Sequence, residues 1–107
     1  MRVSNLTRGE KLFLARRRDK KKMTEAAEAH GVSLHQYRKW ESDEGKGPDV
    51  ALGRLTLTDQ FLILRRRSGK TVREIAAEIG CCPWWLRLME REEAPNDRLK
   101  KYWNLAS

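Results

Sequence analysis

Residues 6–41 and 55–90 are one segment written twice, 49 positions apart and without a gap. Eleven of the 36 aligned positions are identical: Leu6/Leu55, Thr7/Thr56, Arg16–Arg18/Arg65–Arg67, Lys21/Lys70, Glu25/Glu74, Ala27/Ala76, Gly31/Gly80, Arg38/Arg87 and Glu41/Glu90. A tandem repeat constrains the fold strongly, because one local architecture must tolerate two sets of side chains. Each copy has about fifty residues, close to the lower limit for an independently stable core. The expected organisation is a first unit over residues 1–47, a linker over 48–54 and a second unit over 55–107.

Within each copy the apolar spacing is helical. Leu12 and Ala15 mark a first helix that runs into Arg16-Arg17-Arg18-Asp19-Lys20-Lys21-Lys22. Ala26, Ala27 and His30 form the inner side of a second helix, and Gly31 ends it where a left-handed backbone is needed. Ser33 is placed to cap a third helix, Leu34–Glu41, with Tyr37 and Trp40 inward. That leaves Leu34, His35, Gln36, Arg38 and Lys39 outward. The segment 42–54 holds three glycines and a proline, and reads as a turn followed by at most a short helix near Asp49.

The second copy repeats the pattern with a more apolar first helix, Phe61 to Leu64, and with Thr58 as its expected cap. Gly69 stops that helix, and Thr71-Val72-Arg73-Glu74 is a capping box for the next. Cys82 and Pro83 open the third helix at the cap and first positions. Leu86 and Met89 face inward, whereas Trp84, Trp85, Arg87, Leu88 and Arg91 face outward. A last helix, Arg98–Asn104, closes the core with Leu99, Tyr102 and Trp103. No segment alternates as a strand, so the expected class is all-α.

Charge narrows the partner. Residues 1–54 carry 13 basic and 8 acidic side chains and residues 55–107 carry 10 and 7, so both halves contribute to the net charge of +8. A pI near 9.9 points to a polyanion, nucleic acid before membrane. No apolar run approaches the ~18 residues of a membrane span, and residues 1–11 lack the apolar core of a signal peptide. Cys81 and Cys82 are adjacent, which excludes a disulfide framework and metal-finger spacing and fits a reduced, cytoplasmic setting.

Ala27, Gly31-Val32-Ser33, Tyr37 and Trp40-Glu41, with Arg65, Gly69, Thr71, Glu74-Ile75-Ala76, Gly80, Leu86 and Glu90, resemble the helix-turn-helix domains of Cro and phage repressors, often called XRE-like. The resemblance covers most of the chain outside the first residues, the linker and the tail. It implies two tandem helix-turn-helix units of about four short helices each, packed together, in a repressor or activator of phage or mobile-element type on nucleoid DNA. In that family the third helix enters the major groove and the start of the second lies by the phosphates. Base reading then falls to Leu34, His35, Gln36, Arg38 and Lys39, with Trp84, Trp85 and Arg87 in the second copy. Phosphate contact falls to Arg16, Arg17, Arg18, Lys20, Lys21, Lys22, Thr24 and Ser33, and to Arg65, Arg66, Arg67, Lys70, Thr71 and Arg73. Met23 and Val72 stand where many relatives have a glutamine near the start of the second helix.

The outward tryptophans have three readings: one folds back onto the core, or Trp84, Trp85 and Leu88 bind a partner protein or a second copy, or they contact thymine methyl groups. Phe13-Leu14 and Leu62-Ile63 either broaden each core or form a face through which the copies pack. His30 and His35 lack partners at ligand spacing, and Glu92-Glu93 reads as an exposed acidic turn. No phosphate loop or nucleophile–base pair occurs in sequence. The expectation is a non-enzyme with double-stranded DNA as its partner, no cofactor, no metal and no membrane.

Overall fold

The computed structural model describes residues 5–42 and 47–105. Among these residues there are seven α-helices and no strand: α1 (Arg8–Arg18), α2 (Met23–Ala29), α3 (Leu34–Ser42), α4 (Leu57–Ser68), α5 (Val72–Ile79), α6 (Pro83–Glu90) and α7 (Asp97–Tyr102). The fold is all-α. The chain forms two compact units, Asn5–Arg54 and the body of the second over Leu55–Ser107. The starts of α4, α5 and α6 lie 49 residues beyond those of α1, α2 and α3, so the sequence offset is also the structural offset.

The helix starts repeat because their caps repeat. Thr7 Oγ1 accepts from the Glu10 N–H at 3.1 Å while Glu10 accepts from the Thr7 N–H at 3.0 Å. Thr56 and Asp59 make the same reciprocal pair at 3.1 and 2.9 Å. The cap of α4 is therefore Thr56 and not the expected Thr58, which lies inside the first turn. A carboxylate three residues on is what makes Thr56 the better cap. Thr71 and Glu74 form the expected box on α5.

The helix ends are shared in geometry but not in chemistry. Gly69 closes α4 at φ 73°, and its repeat equivalent Lys20 takes φ 56° with a side chain attached. Gly31 and Gly80, which end the next helices, have φ 68° and 91°.

In the first unit, Ala26, Ala27 and Tyr37 form a buried cluster edged by Met23, Val32 and Trp40. Leu12 and Leu14 are buried on α1. Gly9 permits close approach of α1 to the end of α3: a Cβ there would fall on the Glu41 carbonyl oxygen and lie 2.9 Å from that of Trp40. The segment read as a turn followed by at most a short helix near Asp49 forms no helix, so this unit has three helices among its described residues rather than about four. Side chains of α1 claim the segment instead. Lys11 Nζ pairs with Asp49 at 2.9 Å, and Arg18 donates to the carbonyls of Leu52 at 2.7 Å and Arg54 at 3.1 Å. Residues 48–54 accordingly belong to the first unit.

The second unit is built around Phe61, Ile75, Ala76, Leu86, Met89 and Leu99, with Cys81, Trp85, Tyr102 and Trp103 at the margin. Helix α7 supplies Leu99. Leu62, Ile63 and Leu64 on α4 are also buried.

Candidate nucleic-acid interface

The turn that leads into α3 is set by Ser33, whose Oγ accepts from the Gln36 N–H at 3.1 Å. Helix α3 then buries Tyr37 and Glu41, half-buries Leu34 and Trp40, and leaves His35, Gln36, Arg38 and Lys39 exposed. At 3.6 residues per turn these four occupy about 160° of the helix circumference. The sequence expectation for α3 thus matches the observed burial at each outward position except Leu34, which is half-buried. His30, expected on the inner side of α2, is exposed. Its ring stacks on Tyr37 at 5.8 Å and meets Trp40 edge-on at 5.9 Å, which covers the α2–α3 junction.

The run Arg16–Lys22 divides into two kinds of cation. Arg16 is drawn inward: Nε donates to Glu41 Oε2 at 2.7 Å, Nη2 to Glu41 Oε1 at 3.2 Å and Nη1 to the Lys21 carbonyl at 3.3 Å. Its side chain is 12% exposed and that of Glu41 is 2% exposed. Burial works against the charge on Arg16, but hydrogen bonding and attraction to Glu41, with a contribution from Tyr37, outweigh it and raise its pKa. Burial first, then the hydrogen bond and charge of Glu41, push the Tyr37 hydroxyl well above its ordinary pKa, so it stays protonated. Arg18 is committed to the carbonyls of Leu52 and Arg54. Arg17, Lys20, Lys21 and Lys22 are exposed, as is Thr24 in the first turn of α2.

The second unit repeats the inward arginine. Arg65 Nε donates to Glu90 Oε2 at 2.9 Å, with the glutamate side chain 5% exposed. Arg66 is half-buried and Arg67 exposed. Lys70 does not stand free as its equivalent Lys21 does: Nζ donates to both Glu78 oxygens at 2.9 and 3.0 Å and to Tyr102 Oη at 3.1 Å. Tyr102 in turn donates to Glu78 at 2.8 Å. These hydrogen bonds raise the Lys70 pKa and lower that of Glu78. Thr71 is occupied as a cap, and Arg73 is exposed.

On α6 the two tryptophans separate. Trp85 is half-buried against the second core, whereas Trp84 is 65% exposed and is the exposed large apolar side chain among the described residues. Arg87 is exposed and Leu88 half-buried. Of the other apolar candidates, Leu14, Leu62 and Ile63 are buried, and Phe13 is half-buried with the Arg16 guanidinium 5.6 Å from its ring centre.

Sequence reasoning missed the partners of the arginines. The signal was present: Arg16/Arg65 and Glu41/Glu90 are all identities of the repeat, each pair 25 residues apart. Among the described residues no group of three metal-ligating side chains occurs, and no helix is long and apolar enough to cross a membrane. Comparison with protein-family models, with curated proteins and with solved structures gives no match.

Proposed function

We propose that the chain is a small sequence-specific regulator of transcription that binds double-stranded DNA through its first unit. The observation that carries this reading is the outward face of α3. An amide, an imidazole, a guanidinium and an ammonium stand exposed on a helix anchored from behind by Tyr37, Trp40 and the Arg16–Glu41 pair. Such a helix fits the major groove, where Gln36 suits adenine and Arg38 suits guanine. Lys20, Lys21 and Lys22 supply backbone affinity, and the +8 charge steers the encounter. In this reading Arg16 and Arg65 hold the scaffold rather than phosphate.

The test begins with selection of bound duplexes from a random pool. Gln36→Ala, Arg38→Ala should then lose discrimination at the bases these residues contact, by about 1–3 kcal/mol each. Lys21→Ala, Lys22→Ala should weaken all duplexes alike and reduce the slope of log K against log salt by about 1.8. If the Gln36, Arg38 double variant keeps the parent's ratio of operator to random-duplex affinity, the reading fails.

A further inference from the structure

The two reading-helix positions carry the same backbone but different surfaces. Trp84, Arg87 and Leu88 follow one another at helix positions i, i+3 and i+4 and so share a strip of α6, which Arg91, the residue that caps the helix C-terminus, continues. Trp84 is 65% exposed, with the Trp85 ring centre 6.3 Å from its own. The Arg91 side chain is 62% exposed, with Glu93, itself 58% exposed, at 3.9 Å. The corresponding strip of α3 is His35, Arg38, Lys39 and Ser42. Three polar positions of the first unit have become apolar in the second: His35 to Trp84, Gln36 to Trp85 and Lys39 to Leu88.

The edge beside the strip has lost cations as well. Lys20 and Lys22 are replaced by Gly69 and Thr71, one cation is regained where Arg73 stands for Thr24, and Lys70 is held by Glu78, where the first unit has Ala29, and by Tyr102. A surface altered in this way is poorly matched to a phosphate backbone. It retains two guanidiniums around an apolar anchor.

We propose that the α6 strip docks a short acidic segment of another protein, with apolar side chains packed on the Trp84 indole and carboxylates on Arg87 and Arg91. The charge of the strip calls for carboxylates one helical turn or two extended residues apart. Its area calls for a short occupant. Trp84 with the exposed parts of Trp85 and Leu88 offers about 200–300 Å² of apolar surface, against about 800 Å² per partner in a stable protein pair. A second copy is the poorer occupant also because a twofold contact brings the same patch of both copies together, and with it four guanidiniums and no carboxylate of the strip to meet them. Tryptophan ringed by arginine is the composition of an interface hot spot.

The inference does not depend on DNA reading by α3, and the experiment keeps them apart. The full chain is panned against a displayed library of random 15-residue peptides at near-physiological salt. Enriched peptides should be acidic with one or two large apolar residues, and labelled copies should bind the parent by fluorescence anisotropy. Trp84→Ala and, separately, Arg87→Glu, Arg91→Glu should each weaken that binding tenfold or more. Both variants change exposed side chains and should keep the parent's helical circular dichroism, and Trp84→Ala, which leaves the net charge unchanged, should also keep its affinity for the selected duplex. The proposal is overturned if no peptide family is enriched, or if enriched peptides bind Trp84→Ala as well as they bind the parent. It is equally overturned if Trp84→Ala loses duplex affinity instead, which assigns the strip to DNA, or if the parent doubles its mass in solution and Trp84→Ala does not, which assigns it to a second copy.

Discussion

Removing the Glu41 carboxylate should destabilise the first unit strongly although it deletes no apolar contact of the core. Glu41→Ala leaves the Arg16 guanidinium, whose side chain is 12% exposed, with its Nε and Nη2 donors unpaired. Breaking a buried ion pair from one side costs about 3–5 kcal/mol. A unit of about fifty residues holds only about 2.5–7.5 kcal/mol in total at 0.05–0.15 kcal/mol per residue. The variant should therefore lie near or past the unfolding midpoint of its first unit at 25 °C. Glu90→Ala should cost less, about 1–3 kcal/mol, since the Arg65 side chain is 24% exposed and water can reach it. Replacing both partners, as Arg16→Met, Glu41→Leu, should recover part of the loss, because no charge is then stranded, and should stay about 1–3 kcal/mol below the parent, because the buried Tyr37 hydroxyl loses Glu41 as a partner. The assay is urea unfolding followed by the indole N–H resonances: Trp40 reports the first unit, and Trp84, Trp85 and Trp103 report the second. A loss below about 1 kcal/mol for Glu41→Ala, or a double variant no more stable than Glu41→Ala, would refute the argument that this pair is held by burial.

Lys20→Gly should stabilise the first unit by about 0.5–1 kcal/mol, because Lys20 sits at φ 56° where its equivalent is Gly69; thermal unfolding of the variant measures it. Gly9→Ala should destabilise by about 2–3 kcal/mol in the same measurement, since the added methyl meets backbone carbonyls of α3 that cannot rotate away. Acid should weaken the second unit through Glu78 and Glu74. Hydrogen bonds from Lys70 and Tyr102, and from Thr71, hold their pKa values below the ordinary 4.5. A depressed folded pKa gives stability that is present above the ordinary value and is lost as pH falls through the folded one. Glu78→Gln should accordingly flatten the fall in melting temperature below about pH 4.5.

Much of the fold was legible because it rests on short-range rules. The caps at Ser33, Thr71 and Cys82-Pro83 and the stops at Gly31, Gly69 and Gly80 lie within a few residues of the groups they serve. Thr58 was mistaken for a cap because the decisive carboxylate, Asp59, sits three residues after Thr56 and only one after Thr58. The segment after Gly47, read as at most a short helix near Asp49, is held by contacts no local pattern carries: Arg18 of α1 takes the carbonyls of Leu52 and Arg54, and Lys11 takes the Asp49 carboxylate. The candidate site was legible to the same extent. Outward positions on α3 followed from period alone, whereas the run Arg16–Lys22 looked uniform in sequence and is not uniform in space. Whether an arginine faces water or a carboxylate 25 residues away is a tertiary fact.

The repeat shows that identity at an aligned position fixes a backbone environment more firmly than a chemical role. Arg16 and Arg65 are identical and do the same thing, because both partners, Glu41 and Glu90, recur with them. Lys21 and Lys70 are also identical, yet Lys21 is exposed while Lys70 is bonded to Glu78 and Tyr102. The difference lies in residues the first copy lacks: Ala29 stands where Glu78 does, and α7, which brings Tyr102, has no counterpart among the described residues of the first unit. The same logic governs the third helices. Arg38 and Arg87 match, but the first stands among His35, Gln36 and Lys39 and the second beside Trp84 and Leu88. A guanidinium beside amide and ammonium groups suits base edges and phosphates, whereas one beside an exposed indole suits a carboxylate delivered with apolar surface. The neighbours of each arginine, rather than the arginine itself, separate the two units in surface chemistry.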